Sequence, residues 1–109
     1  LIAVSKTQPI DAIEDLYRIG HRDFAENYAQ ELVSKALEAK RRGMSDIRWH
    51  FIGHLQSNKV KQILPFTYLI HSVDSVSLAQ EISKRSQSAP TPCLLSVNID
   101  QESSKSGFL

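Results

Sequence analysis

Leu1-Ile2-Ala3-Val4-Ser5-Lys6-Thr7 opens the chain with four apolar residues and stops at a lysine. A short apolar run bounded by polar residues reads as a buried strand, and Thr7-Gln8-Pro9 reads as the opening of a helix. Lys6 therefore falls at the carboxyl end of a strand. In parallel α/β folds ligands sit at those ends, so the position offers an amine to a small molecule while the strand fixes its backbone. Taken alone, a strand-end lysine is usually just a solvated charge that marks where burial stops.

Outward from this strand the pattern repeats. Residues 9–19 place Ile10, Ile13, Leu16 and Tyr17 on one helical face, with Gly20 as the C′ residue. Asp23-Phe24-Ala25 is short enough for a buried strand. Residues 28–42 form a second helix that buries Leu32, Val33, Ala36 and Leu37, leaves Lys35, Glu38, Lys40, Arg41 and Arg42 in water, and stops at Gly43. Residues 47–53 read as a strand with His50 on the opposite side from Trp49 and Phe51. After a polar turn, Ser57 is expected to cap a short helix over 58–64 that Pro65 ends, and 67–71 form a strand closing at Ser72. Asp74 or Ser75 caps a helix over 76–85 with Val76, Ala79 and Ile82 inside. Residues 93–98 give a fifth strand, and a polar loop over 99–107 follows.

Strands that alternate with helices imply parallel pairing through right-handed crossovers. An open doubly wound sheet and an eight-stranded barrel both accept this order. No Gly-x-Gly-x-x-Gly follows the first strand, which weakens the dinucleotide-binding version of the open sheet. If the barrel is right, about five strands and four helices of a parallel TIM-type (β/α)8 barrel are present. Residues 1–109 then form one partial domain, expected to be truncated at both ends because the chain starts in mid-strand without methionine.

Composition removes several function classes. The 41% apolar and 23% charged content is that of a globular chain, and a net charge of +1 provides no field for nucleic acid or an anionic membrane. Cys93 is the single cysteine, which precludes an intrachain disulfide and suits a reducing cytosol. It opens a strand beside Leu94 and Leu95 and is expected to be inert core. Neither a membrane span nor a signal peptide is present, so a cytoplasmic location is expected. His50 and His54 straddle a strand and a turn rather than one helix face, and His21 and His71 lack nearby ligands, so no metal is expected. The run from Gly53 to Lys59 imitates a phosphate loop but has Asn58 for the second glycine and Val60 for the magnesium hydroxyl.

A pattern of position remains. Lys6, Asn27, His50 with Gly53, Ser72 and Asn98 fall at or just beyond strand carboxyl ends, and Lys105 lies in the loop after the last strand. Each alone fits a turn or cap residue. Two lysines on one rim say more. Like charges disfavour each other's protonation, so Lys105 near Lys6 would enlarge the share of free amine, the form that attacks carbonyl compounds.

Five motifs in order match a known family: Ala3-Val4-Ser5-Lys6-Thr7; Glu26-Asn27-Tyr28 with Gln30-Glu31; the run from Trp49 to Lys59; His71-Ser72-Val73-Asp74; and Val97-Asn98-Ile99 followed by Ser104-Lys105-Ser106-Gly107. Together they resemble the pyridoxal phosphate homeostasis proteins, single barrels akin to the amino-terminal domain of alanine racemase. The resemblance implies pyridoxal 5′-phosphate held as an aldimine on Lys6. It also implies a cleft lined by Asn27 and His50 and closed by Ser72, with Lys105 facing the cofactor's phenolic oxygen. Ala25 departs from the family's usual glycine. Barrels commonly hold phosphate on the loops after strands seven and eight, which this chain does not contain, so cofactor binding by this polypeptide alone is expected to be weak.

The resemblance favours a carrier that buffers and delivers pyridoxal phosphate to apo-enzymes, without turnover, as a monomer or weak dimer. The alternative is an alanine-racemase-like enzyme acting on amino acids, with Tyr28 or a partner subunit as second base. A third reading, from another class, is a non-catalytic module whose rim binds protein.

Overall fold

The computed structural model describes residues 1–86 and 92–95. Strands β1 (Ala3–Val4), β2 (Asp23–Glu26), β3 (Arg48–Phe51), β4 (Leu69–Val73) and β5 (Cys93–Leu95) lie side by side in chain order, all parallel. Helices α1 (Ile10–Arg18), α2 (Ala29–Arg41), α3 (Val60–Ile63) and α4 (Val76–Arg85) fill the crossovers, and α3 is flanked by 3-10 turns at Ser57–Lys59 and Leu64–Phe66. A doubly wound sheet reverses its strand order at a switch point, whereas a barrel adds each strand beside the last. The order here does not reverse, which makes this the barrel arrangement.

Register places Phe24 beside Trp49 and Phe51 beside Ile70, all four buried on the helix side of the sheet with Ile13, Leu32, Ile63 and Leu78. Asp23, Ala25, Arg48 and His50 take the alternate positions and so the other face. Helix ends follow the sequence signals. Gly20 and Gly43 adopt left-handed φ values of 102° and 82°, and Ser75 caps α4 by accepting the Leu78 N–H at 3.2 Å.

Several expectations shift. In α2 Leu32 and Ala36 are buried and Val33 packs against the core as expected, but Ala39 completes the stripe and Leu37 is left half exposed. In α4 the stripe is Leu78 and Ile82, while Val76, in the entering turn, is exposed. Leu16 sits at the edge of the α1 stripe formed by Ile13 and Tyr17, and is also exposed. Ser57 caps nothing, because the turn there is 3-10 and starts at Ser57 itself. The fourth strand begins at Leu69 rather than 67, since Thr67 closes the preceding turn through its N–H to Leu64 O and its hydroxyl to Ile63 O. Arg42 is exposed as expected but also pairs with Asp11 at 2.7 Å, Glu14 at 2.9 Å and Glu38 at 3.0 Å, clasping α2 to α1.

The ends of β2 and β3 approach unusually closely. A Cβ on Gly53 would lie 1.9 Å from the backbone oxygen of Asn27, a contact no side chain rotation relieves. Gly53→Ala is expected to destabilise the fold by about 1–3 kcal/mol, read as a lowered denaturant midpoint.

Candidate functional site

Parallel pairing brings the strand carboxyl ends to one rim, and Lys6 leaves β1 there. Ser5 extends the β1–β2 ladder by donating its N–H to Ala25 O at 2.9 Å. The chain then turns, closed by the Gln8 N–H on Ser5 O at 3.0 Å, with Thr7 at φ 61°. A left-handed β-branched residue is strained by roughly 1–2 kcal/mol, and strain of this kind collects at functional positions. The Thr7 hydroxyl donates to Lys6 O at 2.6 Å. Lys6 itself is exposed, and no described residue pairs with its side chain. Thr7 belongs to this turn rather than to the helix, which starts at Ile10.

Asn27 stands beyond β2 with its Oδ1 shielded and unpaired among the described residues, and Ser72 Oγ within β4 is in the same condition. Asn27 also borders a groove of about 350 Å³ with Tyr28, Gln30, His54, Gln56 and Lys59; Lys6, His50 and Ser72 are not part of it. His54 in the loop after β3 reaches Asp74 after β4, Nδ1 to Oδ2 at 3.3 Å, which ties two rim loops together. Lys105 and Asn98 lie outside the described residues, as does the proposed pairing of Lys105 with Lys6.

His50 is not at the rim. It sits within β3, buried, with both ring nitrogens engaged: Nε2 with Asp23 Oδ1 at 3.0 Å and Nδ1 with His71 Nε2 at 2.9 Å. Arg48 adds a two-pronged pair to Asp23, each bond 2.8 Å. The sequence reading left His71 without neighbours, yet it closes this row. Among the described residues no group of three or more His, Cys, Asp or Glu side chains is arranged to hold a metal ion. Hydrogen bonds from Arg48 and then His50 hold the Asp23 carboxyl well below the usual carboxylate range, while burial and then the charge of His50 lower His71. A depressed folded value stabilises above the unfolded value, about 3.9 for Asp and 6.5 for His, and that stability is lost as pH falls. Urea titrations across pH are expected to show stability falling first below about pH 6.5 and again below about pH 4. His71→Gln removes the first decline and Asp23→Asn the second.

The sequence reading missed a buried cluster behind Lys6. Glu26 is fully buried, and its Oε2 accepts from the Ser5 hydroxyl and, at 2.8 Å, from the Lys35 ammonium. Lys35 also donates to Ser5 O at 2.6 Å. Burial pushes the Glu26 carboxyl up, against the hydrogen bonds from Lys35 and Ser5. Lys35, expected in water, is 14% exposed. The available signal was Glu26 itself, a carboxylate ending a buried strand, which requires a cation from the next helix.

The fold is thus part of a parallel β/α barrel, with Lys6 at the rim of strand carboxyl ends and no pairing of its side chain among the described residues. No family model matches the chain. Individual relatives do. The pyridoxal phosphate homeostasis protein of Mus musculus is 40% identical over 100% of this chain and 42% of its own length, and that of Pseudomonas aeruginosa 41% identical over 98% and 46%. Among solved structures, PipY of Synechococcus elongatus with pyridoxal phosphate bound superposes with a TM-score of 0.87 at 35% identity, covering 99% of this chain and 50% of that one. The chain is a relative of the pyridoxal phosphate homeostasis proteins, homologous to them along its whole length. It spans about half the length of the curated relatives it matches.

Proposed function

We propose that the chain supplies the lysine-bearing part of a pyridoxal 5′-phosphate-binding barrel in a protein of vitamin B6 homeostasis. The observation that carries this reading is the place of Lys6: an exposed amine without a described partner, at the carboxyl end of β1, in a chain related to proteins named for that cofactor. The residues suit the group. Pyridoxal phosphate brings an aldehyde, for which a lysine amine is the natural nucleophile, and a polar ring, for which the shielded oxygens of Asn27 and Ser72 are unused partners. Lys6 would hold the cofactor through a carbon–nitrogen double bond. Lys105 would face the ring oxygen, and His50 would act from below the rim, through the row it forms with Asp23 and His71.

The carrier reading rests on the relatives, which are named as homeostasis proteins. Apo-enzymes would be the recipients, in the cytoplasm, with the protein a monomer or weak dimer. No helix among the described residues is long and apolar enough to cross a membrane.

Borohydride reduction after incubation with pyridoxal phosphate, followed by peptide mapping, is expected to label Lys6. Label on Lys59 or Lys105 with Lys6 clean overturns the assignment. Incubating the loaded protein with amino acids in deuterated water separates the two roles: a carrier leaves the α-hydrogen in place, and a racemase-like enzyme exchanges it.

A further inference from the structure

Ser5, Glu26 and Lys35 have no part in the reading above, although they are the most deeply buried ionic group behind the rim. Beyond its ladder bond to Ala25 O, Ser5 is held by the cluster: its hydroxyl donates to Glu26 of β2, and its carbonyl accepts from Lys35 of α2 at 2.6 Å. That same carbonyl accepts the Gln8 N–H that closes the turn over Lys6 and left-handed Thr7. A buried ion pair is a poor source of net stability, since desolvation offsets most of its attraction, and here Glu26 Oε1 is left without a described partner as well. What the cluster does provide is geometry. A strained turn persists only where its surroundings over-determine it, and among the described residues this turn is anchored from outside its own backbone at the Ser5 site.

We propose that Ser5, Glu26 and Lys35 form a positioning cluster that fixes the strained turn from Ser5 to Gln8 and so aims the Lys6 amine across the rim. The aiming of Lys6 at a cofactor rests on the function proposed above; the fixing of the turn does not. Glu26 and Lys35 are positioning residues, acting on Lys6 only through Ser5.

The test uses Glu26→Gln, Lys35→Met and the milder Ser5→Ala in the whole chain, with Ile63→Val in α3 as a control that loosens the core away from β1. Hydrogen exchange at the Gln8 amide is read against exchange by global unfolding. Exchange at Gln8 is expected to accelerate about tenfold or more in the first two variants, less in Ser5→Ala, and no more than global unfolding in Ile63→Val. The rate of borohydride-trapped pyridoxal phosphate attachment at Lys6 is expected to fall about tenfold or more in Glu26→Gln and Lys35→Met, with labelling of Lys59 unchanged. Unaltered Gln8 exchange in all three variants overturns the proposal. So does an equal loss of Lys6 attachment in Ile63→Val at matched stability. If wild-type protein is labelled elsewhere than Lys6 while Gln8 exchange responds as expected, the assignment of Lys6 fails and the role of the cluster in fixing the turn stands.

Discussion

Glu26 imposes the constraint around which the amino-terminal part of the molecule is arranged. A carboxylate with no solvent contact is costly by several kcal/mol unless a cation and hydrogen bonds meet it. Lys35 is that cation, and it reaches Glu26 only if α2 lies over the sheet with one particular roll. That roll turns Leu32, Ala36 and Ala39 inward and Leu37 outward. Because Lys35 bonds Ser5 O as well, the exit of β1 is fixed by the same side chain. One helix residue thereby sets the relation of two strands and a helix.

On the sheet's other face a second polar row does comparable work for β2, β3 and β4. Arg48, Asp23, His50 and His71 bond in sequence across the three strands. His50 spends both ring nitrogens within this row. Gly53, by contrast, acts by lacking a side chain: it lets the loop after β3 lie against the backbone of Asn27.

The fold was largely legible from periodicity. The alternation of apolar strands with amphipathic helices, and the glycines at 20 and 43, follow from local rules that depend on few neighbours. The barrel itself was legible only through the family resemblance, and the unreversed strand order, which no local pattern contains, bears it out. Placement at the rim was legible where it depends on strand ends, as for Lys6 and Asn27, and contacts were illegible where they depend on register. His71 meets His50, and Lys35 meets Glu26, because of which residues lie opposite across strands and helices. The same limit displaced Leu37 and Val76 from the core: a helix's apolar stripe is wider than the part its neighbours cover.

The unreversed order of the strands also bears on how the molecule reaches its fold. Ala3 pairs with Phe24, Phe24 with Trp49, His50 with Leu69 and Ile70 with Cys93, so every strand finds its partner one strand–helix unit further along the chain. The entropy of closing each such loop is modest and nearly the same for all four. Assembly can then advance unit by unit in the order in which a ribosome releases the chain, each new strand docking on an edge already formed.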